Sequence, residues 1–193
     1  HNPAYELVSS NQFEVAKATV ENLYKMGFRR PAFIVDERID GMVDGRFYGG
    51  FFRAQFEMPR SSRIDPFTEN LDSPTYYENL VKYIEREEPD VLIYMLGKTG
   101  DFLYKKVRRK DGTRYPLVQL ERRNDCTIPK RVWSGMEQNN HIAGHLSVRR
   151  LATLLNISSP HNQNSTTLIP PTWVASAYLK KEAEKLKATR KRK

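Results

Sequence analysis

Residues 9–35 read SSNQFEVAKATVENLYKMGFRRPAFIV. Ser9, Ser10 and Asn11 offer side-chain oxygens to the orphan amides of a helix starting near Gln12. Phe13, Ala16, Val20, Leu23 and Tyr24 recur at helical spacing and give that helix one apolar face, and Gly27 supplies a left-handed stop. PAFIV, residues 31–35, is a short unbroken apolar run, the pattern of a strand covered on both faces. A helix feeding directly into a buried strand implies a parallel sheet.

The unit recurs along the chain. A short extended piece, ELV, precedes the first helix, and GMVDGRFYGGFFRAQFEMP predicts a second helix over roughly 42–57. Residues 76–87 predict a third, with Tyr77, Leu80, Val81 and Ile84 on one side. DVLIYM (90–95) and YPLVQL (115–120) are further buried strands, separated by a short basic helix over 100–108. A polar connector then leads to a long helix over 138–155, with Ile142, Leu146, Leu151 and Leu155 inward and Val148 less centrally so. ISSPHNQNST (157–166) is rich in turn formers, and 167–169 with 173–174 form a last extended segment around Pro170 and Pro171. Alternating helices and strands of this size predict a doubly wound α/β sheet.

Composition narrows the function classes. The chain has 193 residues, 39% hydrophobic and 11% aromatic, enough for one sizeable domain or two small ones. No apolar run approaches the roughly 18 residues a membrane span needs, and HNPAYELV is not a signal peptide. A single cysteine, Cys126, rules out an internal disulfide and fits a reducing compartment. Of the net charge of +9, residues 180–193 hold eight basic and two acidic side chains, which leaves the remainder at only +3. That tail reads as a solvated, frayed, partly helical terminus, with non-specific phosphate contact as the rival. Catalytic patterns are weak. His141 and His145 lack the Glu of HExxH, no spacing pairs them with Cys126, and the GKT at 97–99 lacks the glycine of a phosphate loop. No enzyme, metal site or cofactor is expected.

In their order the segments resemble the effector-binding domain of the lactose-repressor/galactose-repressor (LacI/GalR) family, whose two-lobed fold is shared with periplasmic sugar-binding proteins. NQFEVAKATVENLYKMGFRRPAFIV looks like the family's "DN…A…A…HL…GHRRIAFI", with Phe28 for the usual His and Pro31 for the usual Ile. DGRFYGGFFRAQ resembles "R…GF…AL", YPLVQLERR stands where the family writes "SVVGFDD", MEQNNHIAGHLSVRRLATLL resembles "VRQP…EMG…AV…LL", and LIPPTWV resembles "LPPELVVRES". The resemblance runs from Val8 to Val174. It implies a periplasmic-binding-protein-like doubly wound parallel sheet, one lobe nearly complete and part of the second. Residues 1–125 would be the DNA-distal lobe, 126–160 the crossover and a helix of the DNA-proximal lobe, 161–179 a return strand to the distal lobe, and 180–193 the basic tail. The implied function is sensing of a sugar-like effector by a cytoplasmic, homodimeric transcription regulator that reaches operator DNA through a helix-turn-helix absent from this chain. The alternative is a periplasmic-type solute-binding protein of the same fold.

The resemblance also assigns residues. Arg46 stands at the family's sugar-binding Arg, and its guanidinium can donate to two adjacent hydroxyls; an exposed Arg in a first helical turn fits the sequence too. Glu121 stands where the family places an accepting Asp, with a surface ion pair to Arg122 or Arg123 as the plain reading. Gln138 matches a ligand-contacting position near the crossover and equally suits a helix start. Asp40 and Asp44, just before Arg46, read as helix-start carboxylates. Where the family has Asn-Asp after its strand, this chain has Leu96-Gly97-Lys98, and Lys98 favours an anionic ligand such as a sugar phosphate or acid. Dimerisation is expected through 76–87 and 98–109, with Tyr76, Tyr83, Leu103 and Tyr104 as anchors.

Overall fold

The computed structural model describes residues 6–122, 126–156 and 165–191. Most of the turn-rich 157–166 stretch therefore lies outside the described residues, as does Arg123. In chain order the elements are β1 (Leu7–Ser10), α1 (Gln12–Met26), β2 (Pro31–Ile34), α2 (Glu37–Gly41), α3 (Arg46–Phe56), α4 (Tyr76–Glu87), β3 (Val91–Tyr94), α5 (Gly97–Lys106), β4 (Leu117–Gln119), β5 (Trp133–Glu137), α6 (Asn140–Leu155), β6 (Thr166–Ile169), β7 (Thr172–Val174) and α7 (Ala177–Lys191).

The opening helix forms as its sequence dictates. Asn11 caps it by accepting from the Glu14 amide at 3.1 Å, and Gly27 ends it at φ 109°, with the Gly27 and Phe28 amides returning to the carbonyls of Tyr24 and Leu23. Strands β2, β3, β4 and β5 run parallel in that order, and β7 closes the edge antiparallel to β5. Strand alternation then sorts the core into two faces. Phe33, Ile93, Val118 and Met136 point to α1, α3 and α7, whereas Ala32, Ile34, Leu92, Tyr94, Leu117 and Trp133 point to α4 and α5. Helices on both faces of a parallel sheet make the doubly wound α/β architecture.

Two elements escape the sequence pattern. The stretch taken as polar connector contains β5, and the basic tail is a full helix whose Leu179 and Ala183 are buried against α1. Ser176 caps that helix through the Leu179 amide at 3.2 Å, Glu182 pairs with Arg109 at 2.8 Å, and Arg190 donates to the Gly27 carbonyl. The helix expected over 42–57 begins only at Arg46, because Asp44 and Gly45 adopt positive φ (55° and 70°), and the short α2 lies before the expected range.

The inward face of α4 also differs from expectation: Tyr76, Leu80, Tyr83 and Ile84 are buried, whereas Tyr77 is 37% exposed. Tyr76, Tyr83 and Leu103 are thus core residues clamping α4 and α5 to the sheet, not dimer anchors; Tyr76 bonds Thr99 at 3.0 Å and Tyr83 donates to the Asp65 carbonyl at 2.8 Å.

Strand β1 pairs in parallel with β6 in a separate two-stranded sheet, against which α6 lies. None of the α6 side chains is buried, and Val148, Leu151 and Leu155, expected inward, are 67%, 57% and 77% exposed. A two-stranded sheet offers too little surface to cover a helix stripe. The helix is instead latched by Arg150, which pairs with Glu6 at 2.7 Å while Ser165 donates to the other Glu6 oxygen at 2.6 Å. These hydrogen bonds hold the Glu6 carboxyl down to about 2, below its ordinary 4.5. The latch therefore contributes stability above the ordinary carboxylate range and loses it as pH falls through the depressed value. Carbon-13 NMR titration of the Glu6 carboxyl should show a midpoint near 2, moving toward 4.5 in Arg150→Ala; an ordinary midpoint in the unsubstituted chain would remove the latch.

Candidate functional site

Register places the site. Ile34, Tyr94, Gln119 and Gly135 lie side by side across β2, β3, β4 and β5, so the residues just after them share the carboxyl edge of the sheet. Asp36, Leu96, Glu121 and Gln138 all follow at that edge, where open α/β sheets bind ligands. The small sheet stands beyond the same edge, reached by three crossovers at 10–12, 138–139 and 170–171.

Those crossovers are laced together. The Asn11 amide donates to the Ile169 carbonyl at 3.0 Å, and Ser10 Oγ donates to the Gln138 carbonyl and to Asn140 Oδ1, each at 3.5 Å. Asn139 Nδ2 donates to the Pro170 carbonyl and to Thr172 Oγ1, each at 3.0 Å. All three connections are short and share partners, the arrangement of a hinge between two bodies.

Above β2 a carboxylate pair shapes the rim. Asp36, 2% exposed, accepts from the amides of Arg38 and Ile39 to start α2, and from the Leu71 amide at 3.1 Å. Asp40, 1% exposed, accepts from the Phe47 amide at 2.9 Å and so caps α3 from outside the helix. Burial raises its pKa above the ordinary Asp value, partly offset by the amides of Phe47 and Tyr48, and its Oδ2 has no hydrogen-bond partner among the described residues. Tyr48 donates to the Val35 carbonyl at 3.3 Å, and burial together with the Asp40 carboxylate disfavours its ionisation.

The four assigned residues occupy different settings. Arg46 opens α3 with its side chain 36% exposed and only a loose 3.9 Å pairing to Asp44, so its donors remain available. Glu121 follows β4 and is half-buried. Gln138 is buried at the crossover. Lys98 is exposed in the first turn of α5, which has no side-chain cap. Arg46, Lys98 and Glu121 thus follow three adjacent strands at one edge. His141 and His145 stand exposed on α6.

One residue was missed. Arg122, only 14% exposed, lies 4.5 Å over the Trp133 ring, donates to Glu137 Oε1 and leaves Nε buried without a partner. Its amide also donates to the Met136 carbonyl at 2.8 Å, so β4 and β5 hold it jointly. Of the two pairings expected for Glu121, Arg122 turns to Glu137, and Arg123 lies outside the described residues. No local spacing signals the pair with Glu137, because it depends on β4 and β5 being neighbours.

No protein-family model matches the sequence, and no curated protein matches it. Solved structures do. A LacI family transcriptional regulator from Enterococcus faecium with bound ribose superposes with a TM-score of 0.64 at 15% identity, over 88% of this chain and 64% of that one. The fold is that of the LacI-type regulators. A LacI transcriptional regulator from Lactobacillus brevis gives 0.66 at 13% identity, over 89% of this chain and 65% of its own. The lactose repressor bound to an anti-inducer gives 0.63 at 14% identity, over 88% and 63%. This chain thus spans a little under two thirds of the length of those LacI-type structures. Among its described residues no helix is long and apolar enough to cross a membrane.

Proposed function

We propose that the chain is the effector-sensing part of a LacI-type transcription regulator, a non-enzymatic module that binds a small sugar-like molecule between its two sheets. The observation that carries this reading is the polar carboxyl edge of the large sheet facing three interlaced crossovers to the small one. In this reading the five-stranded sheet is the DNA-distal lobe, and β1, β6 and α6 belong to the DNA-proximal lobe. Operator DNA is contacted by a domain outside this chain, and the protein works in the cytoplasm as a homodimer. The pairing surface is the exposed side of α4 and α5, where Tyr77 packs on Phe102 at 4.3 Å.

Within the cleft Arg46 donates to adjacent hydroxyls, Glu121 accepts, and Gln138 contacts the ligand from the crossover. Lys98, beside the uncapped start of α5, adds positive potential that favours an acidic or phosphorylated sugar. Binding shifts the population of hinge states, which is how such a module signals.

The test is calorimetry with ribose and ribose 5-phosphate as probes. Arg46→Ala is expected to weaken the bound probe by about tenfold or more, the worth of hydrogen bonds to a charged donor. Lys98→Ala should weaken the phosphate ester more than ribose. Undiminished affinity in Arg46→Ala would take Arg46 out of the site.

A further inference from the structure

The opposite edge of the large sheet carries a second polar feature. Arg114 precedes β4, Arg131 precedes β5, and Lys181 lies in the first turns of α7 after the antiparallel β7, so all three stand at the amino-terminal edge, away from the crossovers. They line one groove of about 530 Å³ with Tyr104, Tyr178 and Thr113. Among the described residues no carboxylate lines it.

Its backbone frame is fixed by hydrogen bonds. The Tyr178 amide donates to the Arg131 carbonyl at 3.2 Å, and Tyr178 Oη donates to the Arg114 carbonyl at 2.8 Å. The Arg114 guanidinium lies 4.8 Å over the Tyr104 ring, which orders the planar fork without neutralising it.

Several cations of the lobe are neutralised by carboxylates: Arg53 with Glu57, Lys82 with Glu78, Lys110 with Glu88, Arg109 with Glu182. Among the described residues Arg114, Arg131 and Lys181 form no salt bridge, although all three are exposed in one groove. Two nearby acids have other partners. Glu182 is turned inward, 6% exposed, and held by Arg109 and Lys185; Asp111 accepts from the amide and hydroxyl of Thr113. Three uncompensated cations converging on one concavity raise the local potential and are relieved by an anion.

We propose that this groove binds a small multivalent phosphate anion, a pyrophosphate or phosphate ester, at a site separate from the cleft. Its volume falls within the range of small-molecule sites, about 300–1,000 Å³. A nucleic-acid track fits less well, since a duplex is gripped through roughly six to ten phosphate contacts and the groove supplies three cations. The guanidinium of Arg131 and the ordered fork of Arg114 donate to phosphate oxygens, and Lys181 adds a point charge.

Calorimetric titration of the chain with inorganic pyrophosphate tests the proposal, with a short DNA duplex as a second titrant. The expected result is saturable pyrophosphate binding that weakens about tenfold in Arg114→Ala and in Arg131→Ala, and is unchanged in Lys82→Ala, which removes an exposed cation elsewhere. The altered side chains are exposed, so melting temperatures should match, and Arg131→Lys should recover part of the affinity. Absence of saturable binding, or affinity in both groove variants equal to that of the unsubstituted chain, would overturn the proposal. So would duplex binding that depends on Arg114 and Arg131 while pyrophosphate fails to bind.

Discussion

Gly50→Ala is expected to lower the melting temperature by roughly 6–12 °C, from an overpacking cost of about 3 kcal/mol in a domain of this size. Helices α1 and α3 cross at Gly50, where an added Cβ would sit 2.1 Å from the Phe13 carbonyl oxygen and 3.0 Å from the Lys17 amide nitrogen. Both are backbone atoms of α1, so no side-chain rotation relieves the clash and the helices must part. Their separation would disturb Phe51, which stacks on Phe33 of β2 at 4.3 Å. Gly49→Ala is the control: its Cβ meets only the Phe13 ring at 3.5 Å, an ordinary contact. There the helix propensity gained from alanine, up to about 1 kcal/mol, should leave stability equal or higher. Similar melting of the two variants would show that the crossing is looser than described.

Trp133→Ala should be the most damaging single truncation, at about 4 kcal/mol, measured as a lower urea midpoint at unchanged slope. Trp133 is 4% exposed, fills the face under α4 and α5, and donates from Nε1 to Gln119 Oε1 at 2.7 Å. Gln119 is itself fully buried and spans to the Met95 carbonyl at 3.2 Å, so losing the indole removes one link of a hydrogen-bonded chain that crosses three strands. Arg122 would lose its platform in the same step. Trp133→Phe separates the contributions: bulk is mostly kept, and loss of the buried indole hydrogen bond alone should cost about 1–3 kcal/mol. A Trp133→Phe variant as unstable as Trp133→Ala would place the whole effect on the hydrogen bond.

The sequence shows the fold where local physics agrees with the tertiary result. Helix α1 has matching caps, period and stop, and β2 and β3 are unbroken apolar runs, so their bounds differ from expectation by one residue or less. Strand β5 is illegible for a physical reason. Its buried Ser134 and Gly135 carry no hydrophobic signal, and Gly135 is required because a Cβ there would lie 2.2 Å from the Gln119 carbonyl oxygen across the strand pair. Helix α7 is hidden because few apolar positions, Leu179, Ala183 and Leu186, stand among many cations whose stems and charges face water. Arg46, Glu121 and Gln138 were proposed from resemblance and Lys98 from a departure from it, and topology places all four at one edge of the sheet. Arg122 could not be found that way, since its surroundings come from the strand next door and not from its own segment.

The pairing of β1 with β6 bears on synthesis. Glu6 and Ser165, which bond across that sheet, are 159 residues apart in the chain. Until β6 is made, β1 lacks the strand that it pairs with in this structure, and closing so long a loop is entropically slow. The large sheet needs only neighbours in sequence for β2, β3, β4 and β5 and can assemble as it emerges. The pairing of β1 with β6 must wait until both strands are made. The molecule is thus built from its middle outward, and the part that completes the hinge is the last to close.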